Sequence, residues 1–125
     1  MKKILFIEDE ESLQKVMGNM LRQSKYEVFS AMDGEVGIAE ARSKNPDLIL
    51  LDLILPKKNG FEILQELKKD SATKDIPIVV LTHLEGSSDV ERALALGATT
   101  YLVKANYSLQ DILLKIETIF QHYSN

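Results

Sequence analysis

Five short apolar runs, separated by longer stretches with helical spacing, constrain this chain more than any other feature of its sequence. The runs are Ile4-Leu5-Phe6-Ile7, Val28-Phe29, Leu48-Ile49-Leu50-Leu51, Ile78-Val79-Val80-Leu81 and Tyr101-Leu102-Val103. Short continuous apolar runs bounded by polar segments read as strands. Between them, apolar residues recur every three or four positions. Leu13, Val16, Met17, Met20 and Leu21 form one stripe. Phe61, Leu64 and Leu67 form another. Val90, Ala93, Leu94 and Gly97 form a third, and Leu109, Ile112, Leu113, Ile116 and Phe120 the last and strongest. Gly34 to Lys44 is a weaker helix, carried by Ile38, Ala39 and Ala41.

Boundary signals agree with this division. Ser88 stands three before Glu91, and Ser108 three before Asp111, which are capping-box-like openings. Asn45-Pro46 closes the second helix, because a residue before proline avoids the helical region. Gly97 is placed to cap the fourth helix. Strand and helix thus alternate five times, which argues an α/β fold with a parallel sheet covered on both faces. The three runs of four apolar residues should be central strands, buried on both sides, and the shorter, more polar runs at Val28 and Tyr101 the edges. The result is a doubly wound (βα)5 sheet in the order 2-1-3-4-5, the flavodoxin-like order.

Composition narrows the function. At 125 residues the chain is one domain's worth and far short of a barrel of eight βα units. With no cysteine, disulfides, thiolate metal sites and cysteine nucleophiles are excluded. A net charge of −4 with no basic block argues against direct nucleic-acid binding. No apolar run approaches the roughly 18 residues of a membrane span. Met1-Lys2-Lys3 resembles the basic end of a signal peptide, but the apolar stretch behind it stops at Ile7 before acids intervene. A cytoplasmic location is expected.

In open α/β sheets the ligand binds outside the carboxyl ends of the strands. There the sequence places Glu8 and Asp9 after the first strand, Asp52 after the third, Thr82 at the end of the fourth and Lys104 after the fifth. Each has an ordinary alternative. Asp9 can cap a helix, Asp52 can start a turn, Thr82 suits a strand end, and lysines are mostly solvated. Together, three carboxylates, a hydroxyl and an amine at one sheet edge suit a hard divalent cation and a phosphoryl group. Clustered acids favour a cation among them, and oxygen-only donors indicate Mg2+ or Mn2+. Asp52 is then a carboxylate nucleophile toward phosphorus, with Lys104 and Thr82 holding the transferred oxygens.

Over essentially its whole length the sequence resembles the receiver domain of two-component response regulators, of the single-domain chemotaxis type. The matching residues are Glu8-Asp9, then Asp52-Leu53-Ile54-Leu55-Pro56-Lys57-Lys58-Asn59-Gly60, Thr82, and Gly97-Ala98 before Tyr101-Leu102-Val103-Lys104. The resemblance implies one receiver domain over residues 1–125. It implies a switch rather than an enzyme, assisting only its own phosphorylation and slow dephosphorylation. A sensor histidine kinase or phosphotransfer protein would supply the phosphoryl group, and Asp52 would accept it. Asp9 would ligate Mg2+ directly and Glu8 mainly through water, with the Ile54 backbone carbonyl as a further ligand. Lys104 would pair with the phosphate. Thr82 would turn toward it and Tyr101 would follow, reshaping the face of the fourth helix, fifth strand and fifth helix for a downstream protein target. A monomer or weak dimer is expected, acting by protein contact or as a phosphorelay intermediate if no output domain follows.

The chain departs from the family pattern at two places. Ala105 follows Lys104 where a cis proline is usual, so either the bond is trans or strain is stored there. His83 follows Thr82 where a small residue is usual; its rival reading is a phosphohistidine or metal ligand. His122 is given no role. Ile54 and Leu84, two after Asp52 and Thr82, should flank the approach of a hydrolytic water, and neither side chain can orient one. A flavodoxin would need a phosphate loop free of acids where Glu8-Asp9-Glu10-Glu11 stands. An aspartyl phosphatase would need an acid at Ile54. No Walker or G-x-G-x-x-G loop exists. The serious rival is a receiver-like scaffold that binds partners without phosphorylation.

Overall fold

A computed structural model describes residues 1–123 of the chain. Its elements, in order, are β1 (Lys3–Ile7), α1 (Glu11–Gln23), β2 (Glu27–Ala31), α2 (Gly34–Lys44), β3 (Leu48–Leu51), α3 (Gly60–Lys69), β4 (Ile78–Thr82), α4 (Ser87–Ala95), β5 (Thr100–Val103), a 3-10 turn (Lys104–Asn106) and α5 (Leu109–Tyr123). The five strands form one sheet in the order β2-β1-β3-β4-β5, and every pairing is parallel. This is the expected order. β1, β3 and β4 are central because their side chains are apolar on both faces, and from Ile4 to Ile7, Leu48 to Leu51 and Ile78 to Leu81 every residue is fully buried.

Period-two alternation divides the core in two. Leu5, Ile7, Ile49, Leu51, Ile78 and Val80 point to one face and pack with Ala41 of α2, Ile63 and Leu64 of α3 and Ala93 of α4. Ile4, Phe6, Leu48, Leu50, Val79 and Leu81 point to the other and pack with Met17 and Leu21 of α1 and Ile112 and Ile116 of α5. Truncating a residue such as Leu50 to alanine would cost about 2–5 kcal/mol, the transfer term plus the cavity. Two glycines let α2 lie close: a Cβ on Gly37 would stand 2.7 Å from Ile7 Cδ1, and one on Gly34 2.6 Å from Ile63 Cδ1.

Several boundaries follow from capping chemistry. Ser108 and Asp111 form a reciprocal box, Asp111 N donating to Ser108 Oγ at 3.1 Å and Ser108 N to Asp111 Oδ2 at 3.2 Å. Asn45, at φ 49°, closes α2 in the left-handed conformation. Gly97, at φ 110°, follows the last turn of α4 as expected.

Three sequence expectations are corrected. Ser88 does not open α4: Gly86 precedes its first turn and no side chain caps it. Val16 and Leu94, assigned to buried stripes, are 48% and 46% exposed. On α1 the buried face runs through Gln14, Met17, Gly18 and Leu21, which turns Val16 outward. Ala39 is exposed, and Gly34, Gly37 and Ala41 carry the buried face of α2. No described helix is long and apolar enough to cross a membrane.

Candidate functional site

Two backbone hydrogen bonds one step beyond the sheet ladders bring the acids together. Glu8 N donates to the Ala31 carbonyl at 2.9 Å, and Asp52 N donates to the Ile7 carbonyl at 3.0 Å. Glu8 and Asp52 therefore leave adjacent strands side by side, both buried, while Asp9 is exposed. Carboxylate oxygens of Glu8, Asp9 and Asp52 lie within 4.8 Å of one another. The helix-cap alternative for Asp9 fails, because Glu10 occupies the cap position of α1.

Lys104 enters from the end of β5. Its Nζ donates to Glu8 Oε1 at 2.6 Å and to Asp52 Oδ2 at 3.1 Å, and its side chain is only 9% exposed. It is not a solvated surface lysine. Each acid has a further donor: Glu10 N on Glu8 Oε2 at 3.1 Å, and Ile54 N on Asp52 Oδ1 at 3.2 Å. Burial pushes the Glu8 carboxyl up to about 7; the Lys104 hydrogen bond pulls back, and the Asp52 charge adds to the rise. Burial pulls the Lys104 ammonium down, but the hydrogen bonds and charges of Glu8 and Asp52 outweigh it and leave it above its ordinary value.

Thr82 is fully buried at the end of β4. Its hydroxyl accepts from Leu84 N at 3.5 Å, and Tyr101 OH donates to the Leu84 carbonyl at 2.8 Å. Tyr101 is thus half-buried and turned toward the β4–α4 loop. Burial raises its phenol, with the Asp89 and Asp52 charges contributing. The bond from Lys104 to Ala105 is trans, as no cis peptide is present among the described residues, and the chain turns there through the 3-10 segment. His83 is exposed and lies outside the acid group. It lines a cavity of about 250 Å3 beside the site, with Glu10, Leu13, Lys104 and Tyr107. Ile54 is 52% exposed and Leu84 half-buried.

The far wall is α3. A Cβ on Gly60 would stand 2.3 Å from Leu53 Cα and 2.6 Å from the Asp52 carbonyl oxygen, so no side chain fits there. Gly60 N donates to the Leu53 carbonyl at 2.9 Å, and Asn59 Oδ1 caps α3 through Glu62 N at 3.1 Å.

One residue that sequence reasoning missed is Gln14. Its Nε2 lies 2.9 Å from the Phe6 carbonyl oxygen, 3.0 Å from that of Glu8 and 3.2 Å from that of Ala31. The available signal was its spacing, three before Met17 on the buried side of α1.

Known proteins agree with this geometry. Residues 4–117 match the family model of the response regulator receiver domain. A probable transcriptional regulator ycf27 of Porphyridium aerugineum is 38% identical over 120 residues, which cover 96% of this chain and 48% of that protein. The chain spans about half the length of the curated relatives it matches first. The chemotaxis protein CheY4 of Vibrio cholerae superposes with a TM-score of 0.88 at 30% identity, covering 94% of this chain and 98% of that one. The Mn2+-bound form of the response regulator Rcp1 does so at 0.81 and 34% identity, covering 96% and 92%. The order of the strands, the acids at their ends and these matches have one meaning: the chain belongs to the receiver domain family of two-component response regulators.

Proposed function

We propose that Asp52 is the phosphoacceptor of this receiver, and that its phosphorylation is read on the face formed by α4, β5 and α5. The observation that carries this is the position of Asp52: buried at the end of a central strand, facing Lys104 Nζ at 3.1 Å and gathered with two further acids. A carboxylate oxygen of Asp52 attacks the phosphorus of a phosphohistidine, the P–N bond breaks as the O–P bond forms, and the imidazole leaves. Lys104 pairs with a phosphoryl oxygen, and the Thr82 hydroxyl donates to another. Tyr101 then repacks in the space that Thr82 vacates.

The donor set fits a divalent cation. One ammonium, paired with Glu8 and Asp52, stands against a cluster of three acids, so the cluster keeps excess negative charge, and every available donor is a hard oxygen. Asp9, Asp52 and the Ile54 carbonyl would hold Mg2+ or Mn2+ directly, and Glu8 through water. The ion would neutralise charge between the acids and the incoming phosphoryl oxygens.

The donor is a sensor histidine kinase or phosphotransfer protein, and the reader a downstream protein target. The whole of residues 1–125 acts as one receiver domain, cytoplasmic, monomeric or weakly dimeric. Its own chemistry is confined to assisting the arrival and slow loss of the phosphoryl group. Incubation with Mg2+ and a small acyl phosphate should add one phosphoryl group by intact mass, and Asp52→Asn should add none. Equal labelling of the variant would sink the assignment; an unlabelled wild type would leave the phosphorylation-independent scaffold.

A further inference from the structure

Gln14 has features that a residue serving stability alone would not need. It sits on the first turns of α1, 8% exposed, and its single amide nitrogen serves three carbonyl oxygens. Those oxygens belong to Phe6 on β1, to Glu8 just after β1 and to Ala31 at the end of β2. The Ala31 carbonyl also accepts from Glu8 N at 2.9 Å, so both backbone groups of Glu8 are fixed by the same small cluster. An amide nitrogen carries two hydrogens, so one must be shared.

The orientation of the amide is forced. Turned over, Oε1 would face three carbonyl oxygens with no hydrogen between them. Held as it is, Oε1 is left as the buried side-chain polar atom with no partner among the described residues. An orphan buried acceptor is unfavourable, and natural cores rarely keep one without a reason. Here the reason lies on the opposite atom. The turn leaving β1 carries Glu8 inward and Asp9 outward within one step, where the β1–β2 pairing ends.

We infer that Gln14 is a positioning residue for the acid pair: by gripping the carbonyls of Phe6, Glu8 and Ala31 it fixes the turn from which Glu8 and Asp9 meet the cation. It touches neither the cation nor the phosphoryl group and acts only through the backbone of that turn. This rests on the phosphoacceptor reading above for its purpose, but the metal measurement that tests it does not require Asp52 to be phosphorylated.

The test uses Gln14→Met, which keeps the volume and removes both donors. Mg2+ is titrated into the labelled chain while the Asp9 and Glu10 amides are followed by NMR. Melting without metal is measured in parallel, and labelling by acyl phosphate at saturating Mg2+ is compared with wild type. The expected result is a Mg2+ dissociation constant raised about tenfold, the usual scale for losing a group that orients a metal ligand. Labelling at saturating Mg2+ should stay within about twofold of wild type, since Asp52 and Lys104 are untouched. A variant that melts lower yet binds Mg2+ as wild type does would overturn the proposal and leave Gln14 a structural residue. Should Gln14→Met not fold, Gln14→Lys supplies three N–H donors for the three carbonyls. A folded Lys variant with wild-type Asp9 and Glu10 amide shifts supports the proposal. Displaced shifts, or failure of that variant to fold as well, overturn it. Failure of wild type to label would count against the phosphoacceptor reading alone.

Discussion

The Tyr101 hydroxyl donates to the Leu84 carbonyl at 2.8 Å, tying the aromatic of edge strand β5 across to the loop that follows β4. Leu84 N in turn faces Thr82 Oγ1 at 3.5 Å, so hydroxyl, loop and ring form one chain of contacts leading away from Asp52. Phosphorylation should therefore shift the amides of Leu84, Tyr101 and α4 in an NMR spectrum. Thr82→Ala should still label and should lose most of that response. Shifts confined to the neighbours of Asp52 in wild type would contradict it.

Removing the ring's hydroxyl tests the tie itself. Tyr101→Phe keeps the packing and leaves the Leu84 carbonyl without this donor. A loss of about 1 kcal/mol is expected in urea unfolding, the net worth of one such bond. An unchanged midpoint would mean that water serves the carbonyl equally well.

Glu8 sets a pH dependence with a definite sign. Its carboxyl titrates at about 7 in the folded chain against an ordinary 4.5. Between those values the folded chain holds a proton that the unfolded chain has released. Stability without metal should fall as pH rises through that interval and level off above it, by on the order of 2–3 kcal/mol. Lys104, raised above its ordinary 10.5, loses its stabilising contribution only in more alkaline solution, outside the window. Glu8→Gln should flatten the slope, and Mg2+ should raise the melting temperature more at pH 8 than at pH 5. A melting temperature that climbs between pH 5 and pH 7 in the metal-free protein would refute this.

The same crowding of charge predicts that neutralising one acid stabilises the protein when Mg2+ is withheld. Asp9→Asn should melt about 2–4 °C above wild type without Mg2+ and lose that advantage once Mg2+ is added. A lower melting temperature in the variant would show that Asp9 makes a contact worth more than the repulsion it causes.

If Asp52 carries the phosphoryl group, Ile54 and Leu84 should set how long it lasts. Ile54 is 52% exposed beside Asp52, and Leu84 packs half-buried against the core. Neither can orient a water for in-line attack. Ile54→Asn with Leu84→Glu should speed loss of the phosphoryl group after donor removal while leaving its acquisition intact. Decay as slow as wild type would show that these side chains do not govern the water.

The sheet was legible because three of its strands are unbroken aliphatic runs, which leaves few positions for the other two. The acids, Thr82 and Lys104 were legible for a related reason: each is the last strand residue, or one of the first two polar residues beyond it, at a carboxyl end. Their number at one edge carried more weight than any one of them. What escaped notice were properties of faces. Val16 and Leu94 fit an apolar period, but the buried side of each helix is rotated past them by Gln14 on α1 and Ala93 on α4. Gln14 escaped because a glutamine beside Lys15 reads as a solvated position until the carbonyls it grips are seen. The trans bond at Ala105 was left open by sequence and is fixed by the backbone.

Gly60 gives the site a direction. Its missing side chain lets the first turn of α3 bear on the Asp52–Leu53 backbone with nothing compressible between them. On the other flank α4 buries only Ala93 and opens without a side-chain cap. A force generated at Asp52 would thus meet unyielding backbone on one side and a lightly anchored helix on the other. On the proposal that Asp52 takes the phosphoryl group, the recoil would go to α4, and a glycine that touches no phosphate would decide which surface a partner reads.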